Sequence, residues 1–386
     1  MTDARFIQLH WLASYPAALL NRDDAGLAKR MPFGGTMRGR ISSQCLKRHW
    51  RMAGTDSHEA ARANPWALQN LSIPMGLRTK TVVETEIVPR ARAGVVIDPE
   101  IEQAVTVALL KSLYGKNAED RKKRQALFFG EPEIAFLAEH AATALAAPDA
   151  KAAAAAVEAF FGAERGNMRA LKDGAGLESA LFGRMVTSDP AANRDAAIHV
   201  AHALTVHEIE RELDFMTAVD DLKSSEAGDD AGAAGMFDME LASGLYYGYA
   251  VVDVPLLIGN LGGDREAAAR SLEHLIHLIA QVSPGAKKGS TAPYAWAELM
   301  LIEAGDRQPR TLANAFRNAV GLRTNRLLAE TVSAVADHLA RLDASYGPGE
   351  DRRQLAPEEP IPEIETLRLD RLAGWAADTV RGAAAS

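Results

Sequence analysis

Eight lysines and arginines fall between positions 22 and 51: Arg22, Lys29, Arg30, Arg38, Arg40, Lys47, Arg48 and Arg51. Asp23 and Asp24 oppose them, so the stretch is +6 within a 386-residue chain of formal charge −8. Subtracting that +6 leaves the remainder at −14. Charge segregated in this way makes a directed face for an anion, while the overall acidity excludes a protein coated with positive charge. Ser42 or Ser43 can cap a helix running to about Ala53. On it Gln44, Lys47, Arg48 and Arg51 follow i, i+3, i+4, i+7 spacing, and Leu46, Trp50 and Ala53 form the apolar side. A helix N-terminus with hydroxyls beside it suits phosphate. The alternating Arg38-Gly39-Arg40-Ile41 can bring two more guanidinium groups to one face. Such contacts position a sugar-phosphate chain without reading its sequence. The same residues would also suit an ordinary solvated helix, and their chemistry alone leaves both readings open.

Other residue types point to less. His199, His202 and His207 fall in one expected helix and His274 and His277 in another, spacings that could pair metal ligands. The sequence at His207 is HEIER, not HExxH, and no cysteine lies near, so core or capping roles are expected and no metal or other cofactor. Asp220 and Asp221 could hold Mg²⁺ and activate a water against RNA, or simply end a strand. Met185 and Met216 could wedge between bases or fill the core. No phosphate-loop, nucleophile-elbow or Cys-His signature appears. Cys45 is the only cysteine, which excludes an internal disulfide and fits a reducing cytoplasm. The first residues, MTDARFIQLHW, lack a charged-then-apolar export pattern, and no apolar run reaches membrane length.

The elements that would position these groups read as α+β. Residues 4–14 alternate as a first strand. Residues 15–35 read as a loop ending in Pro32-Phe33-Gly34-Gly35, where paired glycines permit positive φ or close approach of a ligand. From 56 to 182 the chain is rich in alanine and helix formers, with a hairpin expected near 80–97 and a basic helical stretch at 116–124. A helix is expected over 189–213, with Pro190 in its first turn. A long hairpin follows, FMTAVDDL and MFDMELASGLYYGYAVVDV flanking an acidic glycine-rich tip, with Tyr247, Tyr249 and Val251 on one face. Further helices are expected over 265–282, 309–343 and 364–383.

Several motifs occur in a fixed order: LNRDD (20–24), FGG (33–35), RISSQCLKR (40–48), ALFGRMVTS (180–188), AIHVAHALTVH (197–207), FMTAVDDL (215–222), SGLYYGYA (243–250) and PGAKK (284–288). In these the chain resembles the CasC family, the repeated backbone subunit of the type I-E CRISPR surveillance complex, Cascade. The resemblance spans most of the chain and is weakest in the helical insertion, the hairpin tip and the C-terminal tail. It implies an RRM- or ferredoxin-like palm (1–55, 183–217 and 242–386), a helical fingers insertion (56–182) and a β-hairpin thumb (218–241). It implies a non-catalytic subunit that polymerises along a guide RNA and presents its bases to a target DNA strand, beside the large, small, guide-end-binding and guide-processing subunits.

Carried over by matching position, Arg22, Lys29, Ser42, Gln44, Lys47 and Arg51 hold the guide backbone and Met185 sits beside a displaced base. Lys287 and Lys288 are further phosphate contacts, and Arg48 and His49 support the fold. Gripping backbone while leaving base edges free delegates sequence reading to Watson–Crick pairing. Two departures stand out: Cys45 replaces a small polar residue, and the tip bears Glu226, Asp229 and Asp230, which would face a neighbouring protein rather than phosphate. The competing readings are a Mg²⁺-dependent ribonuclease using Asp220 or Asp221, and a general single-strand-binding protein.

Overall fold

The computed structural model describes residues 4–54, 64–163, 176–185, 193–219, 233–286, 288–322 and 324–382. The strands in chain order are β1 (Phe6–Ala18), β2 (Arg30–Phe33), β3 (Thr36–Ile41), β4 (Leu77–Thr79), β5 (Leu127–Phe129) and β6 (Ile198–Val200). They continue with β7 (Ala203–Thr205), β8 (Glu210–Val219), β9 (Ala233–Asp253), β10 (Leu299–Gly305), β11 (Asp351–Leu355) and β12 (Glu365–Thr366). The chain divides into two compact units, one of residues 1–68, 200–252 and 269–386, the other of 69–199 and 253–268.

The first unit is built on one sheet, ordered β12-β11-β10-β1-β9-β7-β3-β2, with β8 paired to β9. β1 runs antiparallel to β10 from Phe6↔Gly305 to Leu12↔Leu299. It is buried on both faces, because each side of the sheet is covered. Its odd positions, Ile7, Leu9 and Trp11, share a face with Trp50, whose ring meets Trp11 edge-on at 5.9 Å. On the other face Leu12 packs with Leu245, Tyr247 and Leu301 against Val332, Val335 and Leu339 of the helix Leu327–Tyr346. Trp11 needs Gly248 on the neighbouring strand: a Cβ there would lie 2.1 Å from the indole.

Gln8 and His10, also on the second face, are buried in a polar network instead of facing solvent. Glu303 of β10 accepts from both guanidinium nitrogens of Arg310, from Arg352 Nε at 2.7 Å and from His10 Nε2 at 3.1 Å. His10 Nδ1 accepts from the Tyr247 hydroxyl at 2.8 Å, which in turn accepts from Leu312 N–H at 2.9 Å. Burial, as the largest cause, lowers the pKa of that ring, against the pull of Glu303. For Glu303 burial pulls the other way, toward protonation, and the Arg310 and His10 bonds outweigh it, holding the carboxyl well below its ordinary range.

The second unit is largely helical, as its composition predicts. Helices Pro99–Tyr114, Glu131–Leu145 and Ala150–Ala163 share a core that includes Val105, Leu109, Ile134, Leu137, Ala153 and Val157. Asp98 caps the first, accepting from Glu100 N–H at 2.8 Å. Glu133 and Arg184 form a buried ion pair within this unit.

Four expectations are corrected. The helix expected over 189–213 gives way to strands: residues 198–213 carry β6, β7 and the start of β8, and the pairing of Leu204 and Thr205 with Tyr247 and Tyr246 of β9 is a non-local ladder that overrides the local helical pattern. The hairpin near 80–97 is instead a π-helical stretch, Val83–Ile87, continuing into the α-turn Val88–Ala91. Its Val82, Val83, Ile87 and Val88 are buried together in the second unit's core. Residues 115–117 form a 3₁₀ turn, and 118–124 are turns rather than helix. The 309–343 helix begins only at Leu327, and β10, β11 and β12 escape the sequence reading. The α+β class, the first strand, the capped basic helix, the long β9 strand and the helix Arg265–Gln281 are as expected.

Candidate nucleic-acid interface

Helix α1, Ser43–Met52, follows β3 directly, and Ser42 caps it: Oγ accepts from Cys45 N–H at 3.3 Å. Ser42 N–H donates to Asn21 Oδ1 at 2.9 Å, which ties the cap to the preceding loop. Ser42 is buried, so its role here is the cap itself. Leu46 and Trp50 are buried against the sheet, leaving Gln44 and Arg48 exposed and Lys47 and Arg51 half-buried. No acidic residue occupies the first turn of the helix, where it would offset the positive end. Burial lowers the pKa of Lys47; an arriving phosphate would favour its charged form.

The 21–29 loop and β3 bring the other cations to this helix. Lys29 N–H donates to Asn21 C=O and Arg40 N–H to Lys29 C=O, each at 2.8 Å. Asp23 turns its carboxylate onto its own loop, accepting from Ala25 and Leu27 N–H at 3.0 Å each, while Arg22 is exposed. Arg40 donates to His202 Nδ1 at 3.0 Å. Burial, Arg40 and Lys29, in that order, lower the pKa of that imidazole. His202 is thus a neutral acceptor that orients Arg40, a role the helical reading of 189–213 concealed.

Arg38 leaves the set. It is 0% exposed, with its guanidinium donating to Thr205 C=O at 3.0 Å, Phe316 C=O at 2.9 Å and Thr36 Oγ1 at 2.8 Å. It joins β3 to the 313–316 turn and has no surface to offer a phosphate. The close approach permitted by the paired glycines is likewise internal. Gly34 and Gly35 form a two-residue turn with φ of 62° and 85°, and a Cβ on Gly34 would overlap the Arg317 carbonyl.

The stretch from Ser283 to Ala286 docks on α1. Gly285 N–H donates to His49 Nε2 at 3.3 Å, His49 Nδ1–H donates to Cys45 C=O at 2.8 Å, and Ala286 N–H donates to Leu19 C=O at 2.9 Å. This brings Lys288 close enough to depress the His49 pKa further, behind burial as the main cause. Arg22, Lys29, Arg40, Gln44, Lys47, Arg51 and Lys288 therefore belong to one neighbourhood of the first unit, and His49 supports the fold.

Met185 is 65% exposed in the second unit, its carbonyl accepting from Gln125 Nε2 at 3.0 Å, so it is not a core methionine. Met216 lies opposite Phe237 on β8, and its side chain falls outside the described residues. Lys287, Asp220, Asp221 and the acidic tip residues also lie outside them. Among the described residues no group of three or more His, Cys, Asp or Glu could hold a metal ion, and no helix is long and apolar enough to cross a membrane. His207 accepts from Leu245 N–H at 3.1 Å, and His277 stacks on Trp66 with ring centroids 3.5 Å apart.

Burial holds His10, His49, His207, His274 and His277 below the ordinary imidazole value of 6.5, His277 at about 4. The unfolded chain takes up these protons near 6.5 and the folded chain only at lower pH. This contribution to stability is therefore complete above about 6.5 and is lost as pH falls, for His277 down to about 4. Urea midpoints should drop between about pH 7.5 and pH 5; an unchanged midpoint contradicts the burial of neutral imidazoles.

A family model described as CT1975-like protein matches residues 7–374. The chain belongs to the CT1975-like family. Among solved structures, a chain of a "CRISPR RNA-guided surveillance complex, pre-nicking" is 25% identical with a TM-score of 0.74, over 98% of this chain and 100% of that one. A second, from a "CRISPR RNA-guided surveillance complex", is 21% identical with a TM-score of 0.65, over 96% and 99%, a likeness of fold. No curated protein sequence matches. The CasC-like motifs read from the sequence and the membership of this CT1975-like chain agree: it is a CasC-like chain.

Proposed function

We propose that this CT1975-like chain is the guide-RNA-binding backbone subunit of a CRISPR surveillance complex of the type I-E Cascade kind. Several copies lie along one guide, grip its sugar-phosphate chain and leave the bases to pair with target DNA, in the cytoplasm and with the other Cascade subunits alongside. The subunit carries no chemistry of its own. One observation carries this reading: Arg22, Lys29, Arg40, Gln44, Lys47, Arg51 and Lys288 gather around a helix whose first turn has no acid. A row of cations beside a helix N-terminus suits successive phosphates. The fold shared with surveillance-complex chains supports the assembly. Exposed Met185 supports an apolar contact with a displaced base, and Met216 and Lys287 remain in the proposed set.

The test is stoichiometry. Mixed with guide RNAs of increasing length, the chain should bind in a copy number that rises stepwise with length, read by native mass spectrometry, and equally for unrelated guide sequences. A fixed one-to-one complex at every length contradicts the backbone role.

A further inference from the structure

Two aromatic side chains on the first unit are left in solvent by a rigid piece of backbone. Tyr294 is 71% exposed and Trp296 is 70% exposed. Their neighbours Pro293 and Ala297 are buried. The alternation is that of an extended segment, in which residues two apart point the same way. The segment is fixed along its length. Ala295 N–H donates to Ser283 Oγ at 2.8 Å and Ala295 C=O accepts from the same hydroxyl at 2.8 Å. Ala297 N–H donates to Ala280 C=O at 2.8 Å and Tyr294 N–H to Ala292 C=O at 2.7 Å. Ala292 itself has a φ of +39°, a conformation unusual for a residue with a Cβ, so the entry to the segment is specified as well.

The position of this segment indicates its ligand. A Cβ on Gly285 would lie 2.5 Å from the Pro293 ring, so the aromatic segment packs on the stretch whose Gly285 N–H bonds His49 of α1. Lys288 lies between the two in sequence and acts electrostatically on His49. The two rings therefore stand beside the stretch that brings Lys288 to α1. Side chains two residues apart on an extended backbone are separated by about 6.5–7 Å. That is about twice the thickness of an aromatic ring, enough for one flat base between them. Rigid aromatics beside cations are the arrangement that holds single strands without sequence preference.

We propose that Tyr294 and Trp296 form a stacking site for an unpaired base of a single-stranded nucleic acid, at the margin of the α1 phosphate grip. The proposal rests on the nucleic-acid reading above for its class of ligand. It adds a contact to the base, which the lysines and arginines do not make.

The full chain is titrated with end-labelled oligouridylate and oligothymidylate, following anisotropy and tryptophan fluorescence at several salt concentrations. Binding should quench tryptophan emission, and the quenching should vanish in Trp296→Phe while affinity stays close to the original. Tyr294→Ala/Trp296→Ala should lose on the order of tenfold in affinity with an unchanged salt slope, because no phosphate contact is removed. Quenching by the RNA alone, the DNA alone or both supports the site and identifies the strand it takes. Affinity within about twofold of the unaltered chain in the double variant overturns the stacking site, since loss of a stacked base costs more than that. If Lys47→Ala/Arg51→Ala then weakens binding, the backbone reading survives and this proposal alone falls. A double variant that binds both strands normally but no longer self-associates gives the rings to a protein contact, which also overturns it. If the unaltered chain binds neither strand, both readings fall together.

Discussion

Replacing Glu303 with alanine is expected to lower the unfolding free energy by about 3–5 kcal/mol, the cost of removing one partner from a buried ion cluster. Glu303 is 0% exposed and is the shared acceptor for His10, Arg310 and Arg352. Without it two guanidinium groups keep their charge in a poorly solvated place. Asp343 still holds Arg352, so Arg310 loses most. The comparison is Glu365→Ala, which breaks an ion pair to Arg353 whose acid is 59% exposed. There the expected change is at most about 1 kcal/mol, because water screens the pair. Urea denaturation of both variants reads the contrast. Equal small losses would mean that the β1-β10-β11 network does not hold the sheet together.

The second large effect is on binding. Lys47→Ala/Arg51→Ala should leave the fold intact, since α1 is anchored by Leu46 and Trp50 on its opposite side. Two charge-assisted phosphate contacts at about 1.5 kcal/mol each amount to about 3 kcal/mol, or roughly a hundredfold in affinity. The loss should be the same for every guide if both residues, as proposed, meet backbone and not base.

α1 was readable because everything that specifies it is local. Ser42 caps, the apolar side recurs at Leu46 and Trp50, and the cations fall between them. β1 and β9 were readable from alternation, though not the burial of Gln8 and His10, which depends on Glu303 and Tyr249 far along the chain. Distance in sequence explains the failures too. Residues 198–213 carry three histidines in a helix-like pattern, and become strands only because β9 and β3 supply ladder partners. The β-branched run at 82–88 coils because a helical core buries it. Arg38 and Arg40 look equivalent two residues apart. The carbonyls of Thr205 and Phe316 take one into the interior, and His202 holds the other near the surface. Gly285, which bonds His49 and so brings Lys288 to α1, is 236 residues from that histidine, and no local pattern could have joined them.

The central claim is that this chain grips nucleic acid by its phosphates through α1. The most direct measurement is the slope of log Kobs against log salt for a guide-length RNA, with the unaltered chain and with Lys47→Ala/Arg51→Ala. Each phosphate contact to a single strand contributes about 0.7 to that slope, so the variant should be shallower by about 1.4 for every guide tested. An unchanged slope, or a loss that depends on the guide's sequence, would contradict the claim.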